Sequence, residues 1–240
     1  MTSHDADELS GDLELSIQGV AAKEQPDCTL EIVINSSRGE IPGVLHPCEG
    51  EQDAALFVGG ALGGLDGPAG GLYPRLAQSL QARRPSEASE PSDAAGLSSL
   101  RLHYRKPGDF QECVLDVLGG ISFLKGIGGR SVLLVGHSFG AAVVIKAGEL
   151  SDAVAGVAAL SPQLYGTRSV QRLTPKPLLL VHGTADNVLD CAASRDIYDR
   201  AEEPKRLVLY EGAGHGLMEC REELFELLEG WLRKTAGHWG

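Results

Sequence analysis

The chain of 240 residues carries a formal net charge of −12, with 42% hydrophobic and 22% charged residues. That length accommodates one sizeable core without requiring a second domain, and the acidic balance argues against a nucleic-acid surface, which needs clustered Lys and Arg. Cys28, Cys48, Cys113, Cys191 and Cys220 are odd in number, widely spaced and without a C-x-x-C pair, so they spell neither a disulfide framework nor a zinc site.

Residues 1–11 are polar and acidic and read as a disordered lead to a single domain over 12–240. They lack the basic start and apolar stretch of a signal peptide, and no apolar run approaches the length of a membrane span. The expectation is a cytoplasmic protein with no membrane partner. Leu13–Ile17 and Thr29–Ile34 alternate apolar with polar residues and predict antiparallel strands at one sheet edge. Glu40–His46 predicts another after the turn Ser36–Gly39.

From Ala54 the pattern changes. Ala54–Val58 is a short apolar run that ends in Gly59-Gly60-Ala61-Leu62-Gly63-Gly64, and a helix is predicted over Leu72–Arg83. The polar stretch from Pro85 to Ser99 reads as a flexible surface loop, with a lid folded over the site as the alternative. Strand and helix then alternate: Leu100–Tyr104, helix Phe110–Leu124, Ser131–Val135, helix Phe139–Leu150, Val154–Leu160, Pro177–Val181, helix Ala192–Ala201, Arg206–Tyr210, helix Glu222–Lys234. In the last helix Leu224, Leu227, Leu228, Trp231 and Leu232 fall on one face, with Glu222, Glu223, Glu226 and Glu229 elsewhere. Apolar strands alternating with amphipathic helices predict an α/β fold, a mostly parallel sheet covered on both faces. Ligands of such sheets bind beyond the carboxyl ends of the strands, so the chemistry is sought just after each strand.

Gly136-His137-Ser138-Phe139-Gly140 fits G-x-S-x-G, directly after an apolar strand and directly before a helix rich in small residues. That strand–turn–helix setting is what a nucleophile elbow requires; a capping serine at an ordinary helix start is the plainer alternative. A serine hydroxyl is a weak nucleophile and needs a base held by a third group. Strand Leu178–Val181 runs into His182-Gly183-Thr184-Ala185-Asp186, and strand Arg206–Tyr210 runs into Gly212-Ala213-Gly214-His215-Gly216. The order serine, acid, histidine is that of this motif. Ser138 is therefore the candidate nucleophile, His215 the base and Asp186 the orienting acid. Asp190 is a rival acid that reads better as the cap of the next helix, and His182 reads as a local hydrogen-bonding residue. The backbone N–H of Phe139 and that of Ala61, with Leu62 as the alternative, are the candidate oxyanion donors. Leu62, His137 beside the nucleophile, and Tyr165 in the connection after Leu160 are the candidate substrate contacts. The glycines at 59–60 and 63–64 do not spell G-x-G-x-x-G, and no Walker A lysine follows.

These motifs, the Gly-rich loop, the Gly-His-Ser-Phe-Gly elbow, the His-Gly-Thr-Ala-Asp turn and the Gly-Ala-Gly-His-Gly loop, resemble the α/β-hydrolase superfamily from about residue 30 onward. The chain is similar to small bacterial esterases and dienelactone-hydrolase-like members without a cap domain. The resemblance implies an α/β-hydrolase fold with an eight-stranded, mostly parallel sheet, an acyl-serine intermediate and no cofactor. Many members carry His-Gly where this chain has Gly59-Gly60, and those with a cysteine nucleophile match the elbow less well. The expected activity is hydrolysis of a small ester-type substrate; a non-catalytic ligand-binding or scaffold protein of the same fold is the competing expectation.

Overall fold

A computed structural model describes residues 14–50, 52–82 and 96–236. The lead expected over 1–11 and most of the Pro85–Ser99 stretch lie outside the described residues. Strands β1 (Ile17–Glu24), β2 (Leu30–Ser36) and β3 (Gly39–His46) form an antiparallel ribbon. Then come β4 (Asp53–Val58), α1 (Pro68–Gln81), β5 (Ser98–Leu102), α2 (Phe110–Gly126), β6 (Ser131–His137) and α3 (Phe139–Leu150). The chain continues with β7 (Val154–Leu160), a 3-10 turn over Val170–Leu173, β8 (Leu178–Gly183), α4 (Ala192–Arg200), β9 (Lys205–Tyr210) and α5 (Arg221–Thr235).

Among the described residues nine strands lie in the order β1-β2-β3-β5-β4-β6-β7-β8-β9, one more than the resemblance implies. β4 to β9 are parallel, and β3 joins them antiparallel through β5. The pleat sends alternate residues to opposite faces. Ala54, Leu56 and Val58 of β4, with Val132 and Leu134 of β6, pack toward α2 and α3 through residues such as Val117 and Val143. Ala55, Phe57, Leu133 and Val135 pack the other way, against Leu72, Leu76 and Leu80 of α1 and Leu224, Leu228 and Leu232 of α5. Each such leucine, fully buried, contributes about 1.5–3 kcal/mol relative to exposure. Glu229, assigned to the polar face of the last helix, is buried: it accepts from Ser79 Oγ at 2.6 Å and pairs with Arg233 at 3.3 Å, tying α5 to α1.

Two boundaries differ from the expectation in an informative way. The first strand is Ile17–Glu24 rather than Leu13–Ile17; it is the sheet edge and exposed along almost its whole length, so it carries no apolar alternation to reveal it. The segment bounded as α1 opens at Pro68, but Ala69, Gly70 and Gly71 make a left-handed turn, φ 54°, 67° and 102°, so regular helix starts at Leu72 as the sequence placed it and only the turn ahead of it is new. The connection from 161 to 176 contains the 3-10 turn and forms no separate lid among the described residues.

β4 returns to β5 on one side and pairs with β6 on the other. Such a reversal opens a crevice at the carboxyl ends of the two strands. The Gly59–Gly64 loop and the turn at Ser138 meet there.

Candidate active site

Ser138 sits between β6 and α3 with φ 58° and ψ −120°, a conformation costly for a residue with a Cβ and usual where the surroundings enforce it. The surroundings here are backbone. A Cβ on Gly136 would overlap the Gly140 carbonyl, and one on Gly140 would overlap the Gly59 carbonyl. The Ser138 N–H donates to Leu160 O at 2.8 Å, pinning the turn to β7.

His215, in the loop after β9, brings Nε2 within 3.0 Å of Ser138 Oγ. Its Nδ1 lies 2.7 Å from Asp186 Oδ2. The Asp186 side chain is fully buried, and that of His215 is 19% exposed. Burial works to raise the Asp186 carboxyl, but the N–H of Leu189, His215 and the N–H of Val188 outweigh it and hold the group below its ordinary value. Oδ1 takes the Val188 and Leu189 N–H groups at 2.8 and 2.9 Å. Asp190, the rival acid, instead accepts from Ala192 N at 2.8 Å at the start of α4.

The loop carrying His215 is held along its length. The Gly214 N–H donates to Glu219 Oε2 at 3.0 Å, and Gly216 O accepts from Ala69 N at 2.8 Å, in the left-handed turn of α1. The His215 carbonyl accepts from His137 Nε2 at 3.0 Å and from Ser161 Oγ at 3.3 Å. His137 thus lies beside Ser138 as expected, but its ring packs 4.9 Å from that of His215 and its nitrogen serves the loop backbone. Burial pushes His137 down to about 4. A cavity of about 420 Å³, bordered by Ala185, Asn187, Met218 and Glu219, adjoins His215.

On the other side, Gly60 O accepts from Gly63 N at 2.9 Å, and a Cβ on Gly60 would stand 3.6 Å from that of Ser138. Ala61 follows directly, and Leu62 at the loop tip is 90% exposed. Tyr165 stacks edge-on against Phe110 at 5.2 Å, and Phe110 against Phe139 at 5.9 Å. A line of rings therefore runs from the residue after Ser138 to Tyr165.

Known proteins share this frame. The family model described as serine aminopeptidase, S33, matches residues 166–222, the segment that carries Asp186 and His215. The uncharacterized protein YfhR of Escherichia coli (strain K12) is 32% identical over 139 residues, 55% of this chain and 47% of its own length. The chain spans about half the length of the curated relatives it matches. A dienelactone hydrolase from Anabaena variabilis superposes with a TM-score of 0.69 at 17% identity, covering 89% of this chain and 98% of that one. XC6422 from Xanthomonas campestris, described as an α/β serine hydrolase without lid, gives 0.63 at 17% identity, covering 94% and 97%. The chain has the α/β-hydrolase fold, with no separate lid among the described residues. Within that α/β-hydrolase frame, no helix among the described residues is long and apolar enough to cross a membrane.

Several residues that shape the site carry no motif. Tyr73 OH donates to Val58 O at 2.9 Å and Tyr104 OH to Gly59 O at 3.3 Å, fixing the root of the loop that faces Ser138. Both tyrosines are buried, and burial raises their hydroxyls well above the ordinary value, so they stay protonated donors. Ser161, directly after β7, likewise reaches the His215 carbonyl, while His182 makes the local hydrogen bonds expected of it. Only a buried hydroxyl or imidazole at the end of a predicted strand, needing a partner, was a sequence signal for them.

Proposed function

We propose that the chain is a serine hydrolase that cleaves a small ester-type substrate through an acyl-Ser138 intermediate. The observation that carries this reading is the continuous path from Ser138 Oγ through His215 to the buried Asp186, at 3.0 and 2.7 Å. His215 takes the serine proton as Oγ attacks the carbonyl, and Asp186 holds the imidazole with Nε2 toward the serine and stabilises the imidazolium that forms. Backbone N–H groups of Phe139 and Ala61 are assigned to the oxyanion. The first starts α3 beside the nucleophile, and the second follows Gly60, which lies against Ser138. The same base then activates water to release the acyl group.

Leu62, His137 and Tyr165 belong to the proposed substrate surface, with His137 acting through the loop it holds. The serine hydrolase of known structure without a lid and the serine aminopeptidase family model support hydrolysis of an acyl bond; the ester preference is our own assignment. We place the protein in the cytoplasm, needing no cofactor. The test is steady-state turnover on a panel of activated esters, thioesters and amides of increasing acyl length, with fluorophosphonate labelling mapped by peptide mass. Ester turnover with label on Ser138 alone is expected. Label without turnover on any substrate would favour the ligand-binding alternative, and label that persists in Ser138→Ala would remove Ser138 from the mechanism.

A further inference from the structure

Two histidines approach the same oxygen of Asp186. His215 Nδ1 lies 2.7 Å from Oδ2, and His182 Nε2, from the end of β8, lies 3.1 Å from it. His182 is fully buried, and its hydrogen bonds fix its form. Nε2 faces two acceptors, Asp186 Oδ2 and Leu189 O at 3.0 Å. A carboxylate and a carbonyl offer no hydrogen, so Nε2 carries one.

Nδ1 faces one group, the Ser194 hydroxyl in α4, at 2.7 Å. Ser194 is fully buried as well, and no other acceptor among the described residues is within hydrogen-bond reach of its hydroxyl. If Nδ1 carried a hydrogen, the Ser194 hydrogen would be buried without a partner, which costs about 1–3 kcal/mol. The arrangement that leaves no group unsatisfied has Ser194 donating to a bare Nδ1 and a neutral His182 donating from Nε2.

We infer that His182 is a positioning residue, held by Ser194 as the Nε2–H tautomer, that fixes the Asp186 carboxylate and draws part of the Oδ2 charge away from His215. The inference rests on the proposed catalytic reading of Ser138, His215 and Asp186. It has a directional consequence. Oδ2 divides its negative charge between two donors. With the His182 hydrogen removed, that charge falls on His215 alone and favours its protonated form. A protonated His215 cannot accept the serine proton, so the rising limb of the pH profile moves to higher pH. The other ionisable groups around the cluster are His137 from β6, Asp190 ahead of α4 and Glu219 in the His215 loop. None is altered in the variants below, so a displacement of the limb reports His182.

The experiment has two arms. In the first, kcat/KM on an activated ester is followed against pH for wild type, His182→Gln, His182→Leu and Ser194→Ala, with Ser138→Ala as the blank. Glutamine keeps an N–H in reach of Oδ2 and is expected within a few fold of wild type with its limb in place. Leucine is expected to lower kcat about tenfold, the scale of one charged hydrogen bond, to leave KM unchanged, and to move the limb up by about half a unit or more. Ser194→Ala is expected to shift it in the same direction by less. In the second arm, two-bond ¹H–¹⁵N spectra of histidine-labelled protein, assigned with His182→Gln, identify the tautomer without any turnover.

The Nε2–H form in wild type, kept in Ser194→Ala because the two acceptors facing Nε2 remain, is the expected result. An Nδ1–H tautomer or an imidazolium at His182 in wild type overturns the inference, as does a leucine variant that turns over with an unmoved limb. Absence of Ser138-dependent turnover in wild type would instead defeat the catalytic reading, and the spectra would still decide the lock. Should the leucine variant not fold, Ser194→Ala and the spectra carry the decision.

Discussion

The candidate nucleophile and the candidate base are held in different ways. Ser138 is placed by backbone sterics: Gly136, Gly140 and Gly59 leave no room for another path, and the Leu160 carbonyl takes its N–H. His215 sits in a loop whose root packs on Gly183 through the Ala213 carbonyl, but its tip is fixed by donors and acceptors from four other parts of the chain, namely Ala69, His137, Ser161 and Asp186. A backbone-built element is encoded next to the residue it positions. A side-chain-built one is encoded wherever the fold happens to bring a partner. The first fails abruptly when a glycine is replaced, and the second weakens one bond at a time.

Removing either chemical partner has the largest effect. Ser138→Ala and His215→Ala are each expected to lower kcat by about 10⁶, and the double variant to lose little more, because the two act as one unit. Independent, additive losses in that cycle would show that they do not. Asp186→Asn is expected next, at about 10⁴ in kcat with the histidine left in the wrong tautomer. Asp190→Asn at the start of α4 should cost stability by a fraction of a cap, under about 1 kcal/mol, and leave kcat within a few fold. A reversed order in these two rates would exchange their roles. Gly140→Ala tests the steric half of the comparison. Its Cβ would force the Gly59 carbonyl aside, moving the elbow and the oxyanion loop together. A misplacement of about 1 Å is expected to lower kcat/KM by about 10². Wild-type rates in this variant would mean that the elbow is less confined than its contacts imply.

The same contrast decides what was legible in the sequence. The elbow, α3 over Phe139–Leu150 and β7 over Val154–Leu160 follow from local signals: an apolar run, a glycine where no side chain fits, and a helix of small residues. Ser138, His215 and Asp186 were legible because each stands within a few residues of a strand end, in chain order. The edge strand β1 was not, since both its faces meet water and alternation is lost. Neither was the left-handed turn at Ala69–Gly71, whose glycines read equally as loop. Tyr73, Tyr104 and Ser161 were hidden for a stronger reason. Tyr104 and Gly59 are 45 residues apart, and Ser161 and His215 are 54 apart. A hydrogen bond over such a separation leaves no period and no spacing to read.

The smallest expected effect comes from a single support of the His215 loop, and it has a pH signature. Burial lowers His137 from 6.5 to about 4, so the native protein keeps it neutral, with Nε2 donating to the His215 carbonyl, where the unfolded chain would protonate it. The sign follows. Above about 6.5 neither state is protonated, and the contribution of His137 is complete. As pH falls from about 6.5 toward 4 the unfolded state alone takes up the proton, and stability declines through that window. His46, also pushed down to about 4 by burial and by Arg101, titrates in the same window, but it lies on β3 and makes no contact with the site in the described residues. Urea midpoints measured at pH 7.5 and pH 5 should therefore fall for wild type, and fall less for both His137→Phe and His46→Gln. Only His137→Phe is expected to lower kcat as well, by about five- to tenfold, because one of the two donors to the His215 carbonyl is gone and Ser161 remains. An unchanged pH slope in His137→Phe would assign the proton to another group. An unchanged kcat would mean that Ser161, Ala69 and Asp186 hold the loop without it.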